Sequence, residues 1–305
     1  MPAKSIKADS LLLLTAIIWG FAFVAQRMGM DHVGPFTFNG VRFALGSLSL
    51  LPLIWLLQRQ KNCAPAVIPQ AGGMELLRGG LLAGLALFLG ASLQQVGLVY
   101  TTAGNAGFIT GLYVVIVPIL GLIWRQRPAL GTWLGAILAT IGLFLLSVSD
   151  DFSIAYGDAL VLLGAFIWAG HVLLIGWLSP RMDALKLSAI QFAVCALLSL
   201  LTALAIESIR LEGIIAAAVP ILYGGLFSVG IAYTLQVVAQ REAHPAHTAI
   251  ILSLEGVFAA IGGWLLLGEL LTPRGLFGCA LMLGGMLLSE LWNLLRPPQT
   301  SRSAV

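Results

Sequence analysis

Charged residues are almost absent from a series of long apolar stretches that together make up most of this chain. Of its 305 residues, 59% are hydrophobic and 10% are charged, whereas a water-soluble domain carries roughly 25% charged residues. A helix of about 20 apolar residues crosses the hydrocarbon core of a bilayer. The chain is therefore predicted to be an all-α integral membrane protein embedded in a lipid bilayer.

The same distribution excludes other classes of protein. The net charge is +3, but the basic residues are scattered in short connections, so no nucleic-acid partner is expected. The three cysteines have no metal-ligand spacing. Because the sequence also contains no catalytic or phosphate-binding motif, we expect no cofactor, no metal and no enzyme activity.

Ten apolar stretches, separated by charged residues, proline or glycine, predict ten membrane helices. These spans are 11–26, 34–57, 76–99, 103–124, 130–148, 157–178, 184–206, 217–239, 245–267 and 273–294. The polar segment 59–78 between the second and third spans is predicted to be a solvated loop.

The positions of lysine and arginine predict the orientation. With the N-terminus inside, the inner segments contain 12 of these residues and the outer segments contain 3, while Arg42 lies within a span. Cytoplasmic loops of membrane proteins carry this excess of positive charge. We therefore expect a multi-pass protein of the inner (plasma) membrane with both termini in the cytoplasm.

The second half of the chain repeats the first. TAIIWGF at 15–21 matches GAFIWAG at 164–170, which pairs Trp19 with Trp168 at an offset of 149. Each half contains five helices, an odd number, so the second copy enters the membrane from the opposite side. The pattern predicts two inverted-topology five-helix repeats, 10–148 and 157–294, followed by a cytoplasmic tail at 295–305, an architecture typical of secondary transporters.

Two long motifs carry a resemblance to a known family. LQQVGLVYTTAGNAGFITGLYVVIVP at 93–118 and HPAHTAIILSLEGVFAAIGGWLLLGELLT at 244–272 resemble the EamA-type exporters of the drug/metabolite transporter (DMT) superfamily. The resemblance implies ten helices, cytoplasmic termini and transport of small metabolites such as amino acids. One departure is visible, since Glu269 ends the fourth helix of the second repeat where the first repeat has Arg127.

Glu255 and its repeat mate Tyr113, 142 residues earlier, lie near the middle of their spans. A charged side chain at this depth is costly. Glu255 is therefore either a carboxylate that binds a cation or a proton, or an acid kept neutral by a hydrogen bond between helices. Both residues are expected near the pseudo-symmetry axis.

Trp168 and His171 share one face of the sixth span, and Trp19 is the repeat mate of Trp168. Facing inward, they would line a cavity for an amphipathic or aromatic metabolite. Facing outward, the tryptophans would pack against lipid or a neighbouring helix. His171 is interpreted either as a gating or proton-transfer group or as a hydrogen-bonding partner of another helix.

Four further polar residues are candidates with two interpretations each. The repeat mates Gln94 and Gln236 either bind substrate or join helices. Asn105 either caps the fourth span or contacts substrate. Arg42 either attracts a substrate carboxylate, or pairs with Asp31 or extends to the membrane surface.

These observations predict a secondary transporter that exports small zwitterionic metabolites by alternating access, through a cavity lined by the first, third and fourth helices of each half. Protons are a candidate coupling ion, facilitated diffusion is the alternative, and a functional monomer is compatible with the sequence. Two other functions are open. One is a flippase for lipid-linked or amphipathic substrates, and the other is a membrane-embedded enzyme built on His244, His247 and Glu255.

Overall fold

The computed structural model describes residues 2–61, 72–123, 128–147, 156–270 and 273–295. Within these ranges the chain contains helices and no strands, and ten helices follow one another in the predicted order. Eight are long and apolar enough to cross a membrane, and the fifth and tenth contain shorter apolar stretches. The prediction of an all-α membrane protein is confirmed.

The first half contains helices α1 to α5. Their bounds are α1 Pro2–Gly29, α2 Pro35–Lys61, α3 Gly73–Gly97, α4 Ala103–Gly111 continued by Tyr113–Ile123, and α5 Leu130–Ser147. The predicted loop at 59–78 is wrong at both ends, because α2 continues to Lys61 and α3 begins at Gly73, and residues 62–71 lie outside the described part of the chain. Hydropathy marks where a helix crosses lipid, whereas a helix continues into water wherever its residues favour it.

The second half contains helices α6 to α10. Their bounds are α6 Tyr156–Leu178, α7 Ala184–Ile206, α8 Ala218–Leu222 continued by Tyr223–Tyr233 and Thr234–Ala239, α9 Pro245–Leu252 continued by Glu255–Leu267, and α10 Pro273–Leu295. A short helix, Leu211–Ala216, precedes α8 and was not predicted. The predicted tail after Leu295 lies outside the described residues.

The ten helices define two faces of the bundle. We call the face at which α1 begins the proximal face and the face at which α1 ends the distal face. Because five crossings separate α1 from its repeat mate α6, α6 begins at the distal face. The two repeats are therefore inverted with respect to each other.

The contact between α5 and α10 obeys the pseudo-two-fold symmetry. A Cβ added at Gly135 would lie 2.6 Å from the Gly285 carbonyl oxygen, and one added at Gly142 would lie 2.4 Å from that of Gly278. Gly278 and Gly285 are the repeat mates of Gly135 and Gly142 at an offset of 143. This reciprocal pattern is what a two-fold axis requires, and glycine allows the backbones to touch.

Helices α4 and α9 each contain a 3₁₀ turn, and the two turns lie at symmetric positions. The amide of Leu112 bonds to the carbonyl of Ile109, and the amide of Leu254 bonds to that of Ile251, both at 3.2 Å and three residues back. Leu112 and Leu254 are 142 residues apart, which is the offset of this part of the repeat. A 3₁₀ turn inside a helix often marks a functional hinge, and here it precedes Tyr113 and Glu255.

The middle of α8 is a π-helix from Tyr223 to Tyr233, whereas its repeat mate α3 is α-helical throughout. Two of its carbonyl groups bond to side chains of α1. Trp19 Nε1 donates to the Ser228 carbonyl at 3.2 Å, and Thr15 Oγ1 donates to the Ala232 carbonyl at 3.3 Å. These bonds join the two halves beside the centre of the bundle.

Candidate functional site

A narrow cavity of about 30 Å³ lies between the two halves. It is lined by the first, third and fourth helices of each half and by one residue of α2. Eight of the nine predicted site residues line it, namely Trp19, Arg42, Gln94, Tyr113, Trp168, His171, Gln236 and Glu255. The structure thus brings together residues that are up to 236 positions apart in the sequence.

Glu255 and Tyr113 meet in this cavity. The Tyr113 hydroxyl donates a hydrogen bond of 2.8 Å to Glu255 Oε1, and both side chains are buried. The bond joins α4 to α9, and therefore one half of the molecule to the other. Repeat mates that touch must lie beside the pseudo-symmetry axis, so the carboxylate is at the centre of the bundle.

Aromatic rings form one wall of the cavity around Tyr233. Its ring centroid lies 4.5 Å from that of Trp19 and 6.1 Å from that of Trp168, which it faces at 28°. Sequence analysis did not identify Tyr233. A signal was present, because Tyr233 and Tyr113 lie mid-span whereas Tyr100 and Tyr156 lie at helix ends.

Gln94 takes part in a chain of side-chain hydrogen bonds, but its repeat mate Gln236 does not. Trp168 Nε1 donates to Gln94 Oε1 at 2.9 Å, and Gln94 Nε2 donates to Gln26 Oε1 at 3.2 Å. Gln94 therefore joins the two halves, which matches the interpretation that it links helices. Gln236 Oε1 is buried and has no hydrogen-bond partner within the described ranges.

His171 forms a hydrogen bond with another helix while its ring lines the cavity. His171 Nε2 and Gln191 Oε1 lie 2.9 Å apart. Gln191 belongs to α7 and is the repeat mate of Arg42. The pairing matches the expectation of an ordinary interhelical partner, and the ring also lines the cavity.

Arg42 neither pairs with Asp31 nor reaches the membrane surface, so both of those expectations are wrong. Asp31 accepts a hydrogen bond of 3.0 Å from Arg27, one helical turn away. Arg42 is 2% exposed, and its Nε donates to Asn39 Oδ1 at 3.0 Å. The side chain is held inside because α2 directs it toward α8 and the cavity rather than toward the helix end.

Asn105 is the one predicted site residue that does not line the cavity, and its expected capping role is also wrong. The N-cap of α4 is Thr102, whose Oγ1 accepts a hydrogen bond of 3.1 Å from the Asn105 backbone amide. A cap precedes the first helical residue, and α4 begins at Ala103. Asn105 is therefore one of the residues that is capped.

His244 and His247 have separate roles at the proximal start of α9. His244 Nδ1 accepts a hydrogen bond of 3.3 Å from the Ala246 amide. Burial, with a smaller contribution from His247, lowers the pKa of His244, which favours the neutral ring that this cap requires. His247 Nε2 lies 2.9 Å from Asp9 Oδ1 of α1, so the histidine joins the halves.

The profile of the EamA-like transporter family matches residues 6–148 and 155–291, once in each half. The chain belongs to the EamA-like transporter family. As a member of this family it is a multi-pass membrane transporter and not an enzyme, which removes the alternative built on His244, His247 and Glu255.

Curated relatives are also named as transporters, and a solved structure shares the fold. An uncharacterized transporter of Archaeoglobus fulgidus is 34% identical over 94% of this chain and 87% of its own length. The uncharacterized transporter YwfM of Bacillus subtilis is 28% identical over 91% of each chain. A solved crystal structure with 18% identity superposes with a TM-score of 0.73 over 94% of this chain and 99% of its own, which shows that the two chains share a fold.

Proposed function

We propose that this EamA-family transporter exports small zwitterionic metabolites, amino acids or related compounds, across the plasma membrane by alternating access. The observation that carries the proposal is the buried Glu255 carboxyl group in a central cavity between two inverted repeats. An acidic group inside a membrane protein marks a pathway for substrate or ions. The positive-inside rule supports a cytoplasmic proximal face.

The cavity suits the ammonium group and the apolar side chain of an amino acid. Glu255 supplies a carboxyl group, and Gln236 supplies a buried amide oxygen without a hydrogen-bond partner among the described residues. The faces of Trp19, Trp168 and Tyr233 attract both apolar groups and cations. Together these side chains would bind the ammonium group at one end of the substrate and its side chain along the aromatic wall.

Alternating access follows from the near-equivalence of the two repeats. Each half has a helix that tightens at mid-depth, just before Tyr113 in α4 and just before Glu255 in α9. Rocking of one half against the other about these positions would open the cavity first to one face and then to the other. The substrate site itself would stay at the centre.

Thermal stability of the purified protein tests the substrate class. A ligand that binds the folded state raises its melting temperature by mass action. We expect stabilisation by apolar or aromatic amino acids, and little by nucleobases. If the protein responds only to lipid-linked or amphipathic compounds, the zwitterion proposal is wrong and the flippase alternative is correct.

Counterflow of the stabilising amino acid in proteoliposomes tests the role of Glu255. We expect Glu255→Gln to reduce exchange at least tenfold, because the amide no longer supplies a negative charge for the ammonium group. Glu242→Gln is the matched control, since Glu242 is an exposed acid at the proximal face. Undiminished exchange in Glu255→Gln would reduce this residue to a structural one.

Proton coupling is tested in the same vesicles. Proton antiport requires that substrate flux changes the internal pH and that an imposed pH gradient drives accumulation. Facilitated diffusion requires neither effect. We expect any proton flux to disappear in Glu255→Gln, because this is the carboxyl group that lines the cavity.

A further inference from the structure

Arg42 is a buried cation without a carboxylate partner within the described ranges. Its guanidinium group lies 4.8 Å from the ring centroid of Phe43 and 5.6 Å from that of Phe38. Among the residues that the structure describes, Asn39 is its hydrogen-bond partner, and the bond runs from Nε to Asn39 Oδ1. Arg42 also lines the central cavity. The two terminal nitrogens of its guanidinium group are not used by the bond to Asn39.

The ionisable groups around Arg42 do not supply a negative charge. Those that interact with it are the Tyr233 hydroxyl and the Cys195 thiol, which are neutral at pH 7. Glu255, the acid that lines the same cavity, is bonded to Tyr113 instead. An isolated cation in a membrane interior is energetically costly, so the site is electrostatically incomplete without an anion.

The guanidinium group is held in a fixed position. Asn39 Nδ2 donates a hydrogen bond of 3.1 Å to the Ala91 carbonyl of α3, which orients its oxygen toward Arg42 Nε. On the side of α8, a Cβ added at Gly224 would lie 3.2 Å from Arg42 Cδ, so glycine leaves room for the side chain. With Nε bonded, the two terminal nitrogens present the paired donors that bind a carboxylate.

We propose that Arg42 binds the carboxylate of the transported molecule and makes this cavity selective for carboxylate-bearing substrates over the corresponding amines. The inference rests on the proposed function in one respect, which is that the cavity is the substrate site. It goes further by assigning the anionic group of the substrate to α2, a helix outside the three per half that form the rest of the cavity.

Matched pairs of ligands test this assignment on the purified full-length protein. The pairs are phenylalanine with phenethylamine, tryptophan with tryptamine, and leucine with isoamylamine, which differ by the carboxylate alone. We expect each acid to bind the unmodified protein at least tenfold more tightly than its amine. We expect Arg42→Gln to remove this difference by weakening the acid and leaving the amine unchanged.

Three further variants separate charge from structure. Arg42→Lys keeps the charge but not the paired donors, so an intermediate loss is expected. Asn39→Ala removes the group that positions the guanidinium, and we expect it to weaken the acid several-fold. Arg27→Gln removes an exposed cation outside the cavity and should change nothing. Glutamine already occupies the symmetric position 191, which favours folding of Arg42→Gln.

Each outcome decides the proposal. Equal binding of acid and amine by the unmodified protein, or unchanged acid binding in Arg42→Gln, overturns it. If no amino acid binds, the proposed function fails, and 3-phenylpropionate then tests Arg42 separately. Binding of this carboxylate that disappears in Arg42→Gln supports the anion site without a zwitterionic substrate, whereas absence of binding overturns both proposals.

Discussion

The two faces of the bundle are built from the same repeat, yet they are held together differently. On the distal face, carboxylates of the second half cap helices of the first. Glu207 accepts hydrogen bonds of 2.8 Å from the Phe36 and Thr37 amides at the start of α2. Glu269 accepts bonds of 3.2 and 3.3 Å from Ala103 and Gly104 at the start of α4. Anions at helix N-termini are stabilising.

On the proximal face, the corresponding helices are capped by their own residues. Asp183 accepts hydrogen bonds of 3.1 and 3.2 Å from two amides at the start of α7, and His244 caps α9. The halves are joined there by Asp9 and His247. Sequence differences within a symmetric repeat can therefore favour closure of one face over the other.

Glycines at helix crossings also distinguish the distal face from the proximal face. Gly20 and Gly107 lie where α1 and α4 cross α9 on the distal side of the centre, and their repeat mates are Ala169 and Ala249. A Cβ added at Gly20 would lie 2.2 Å from Phe258 Cβ, and one added at Gly107 would lie 2.6 Å from Ala259 Cβ. The close distal crossing therefore requires glycine at both positions.

The largest effect is expected for Gly20→Ala. The added methyl group overlaps α9, and overpacking typically costs about 1–3 kcal/mol. The melting temperature of the purified protein should fall by several degrees. Gly170→Ala is the control, because a Cβ there meets no atom within 4 Å. Equal stability of the two variants would break the claim that the distal crossing is tightly packed.

Removal of one distal cap should have the next largest effect. Glu269→Ala leaves the first amides of α4 without their carboxylate, at a cost of about 1 kcal/mol. We expect Thr110→Cys, a cavity reporter on the distal side of Tyr113, to react faster with a thiol reagent added at the distal face. Glu212→Ala, an exposed acid on that face, should leave the rate unchanged, and an equal increase there would contradict the prediction.

The smallest effect is expected on the proximal face. Asp9→Ala removes the hydrogen bond to His247, whereas Glu269→Ala removes bonds to two amides, and a hydrogen bond typically contributes about 1 kcal/mol. We expect Val172→Cys, a cavity reporter on α6, to become more reactive from the proximal face, and Thr110→Cys to stay unchanged. If the labelling rate of Thr110→Cys rises as much in the Asp9→Ala background as in the Glu269→Ala background, the two faces do not differ.

The fold was predictable because the lengths of the apolar spans and the internal repeat can both be read from one sequence. Apolar stretches of membrane length fix the helices, and the offset between Trp19 and Trp168 fixes the inversion. The ends of helices were harder to predict, because α2 and α3 continue beyond the apolar stretches that hydropathy detects.

The candidate site was predictable only where a residue type is unusual for its depth. Glu255, His171 and Arg42 stand out as polar groups in apolar spans, and all three line the cavity. Tyr233 lies mid-span like Tyr113, but nothing in the sequence shows that its ring packs 4.5 Å from that of Trp19. The cap that Glu207 provides, 170 residues from Thr37, leaves no local pattern in the sequence.

A single cysteine in the cavity tests the whole account most directly. Ser228→Cys, in a chain whose own three cysteines are replaced by alanine, places a thiol on the cavity wall next to Trp19. In oriented membrane vesicles, an impermeant thiol reagent should label it from either side, and a bound amino acid should slow both reactions. Labelling from one side alone, unaffected by any amino acid, would contradict a central site that opens to each face in turn.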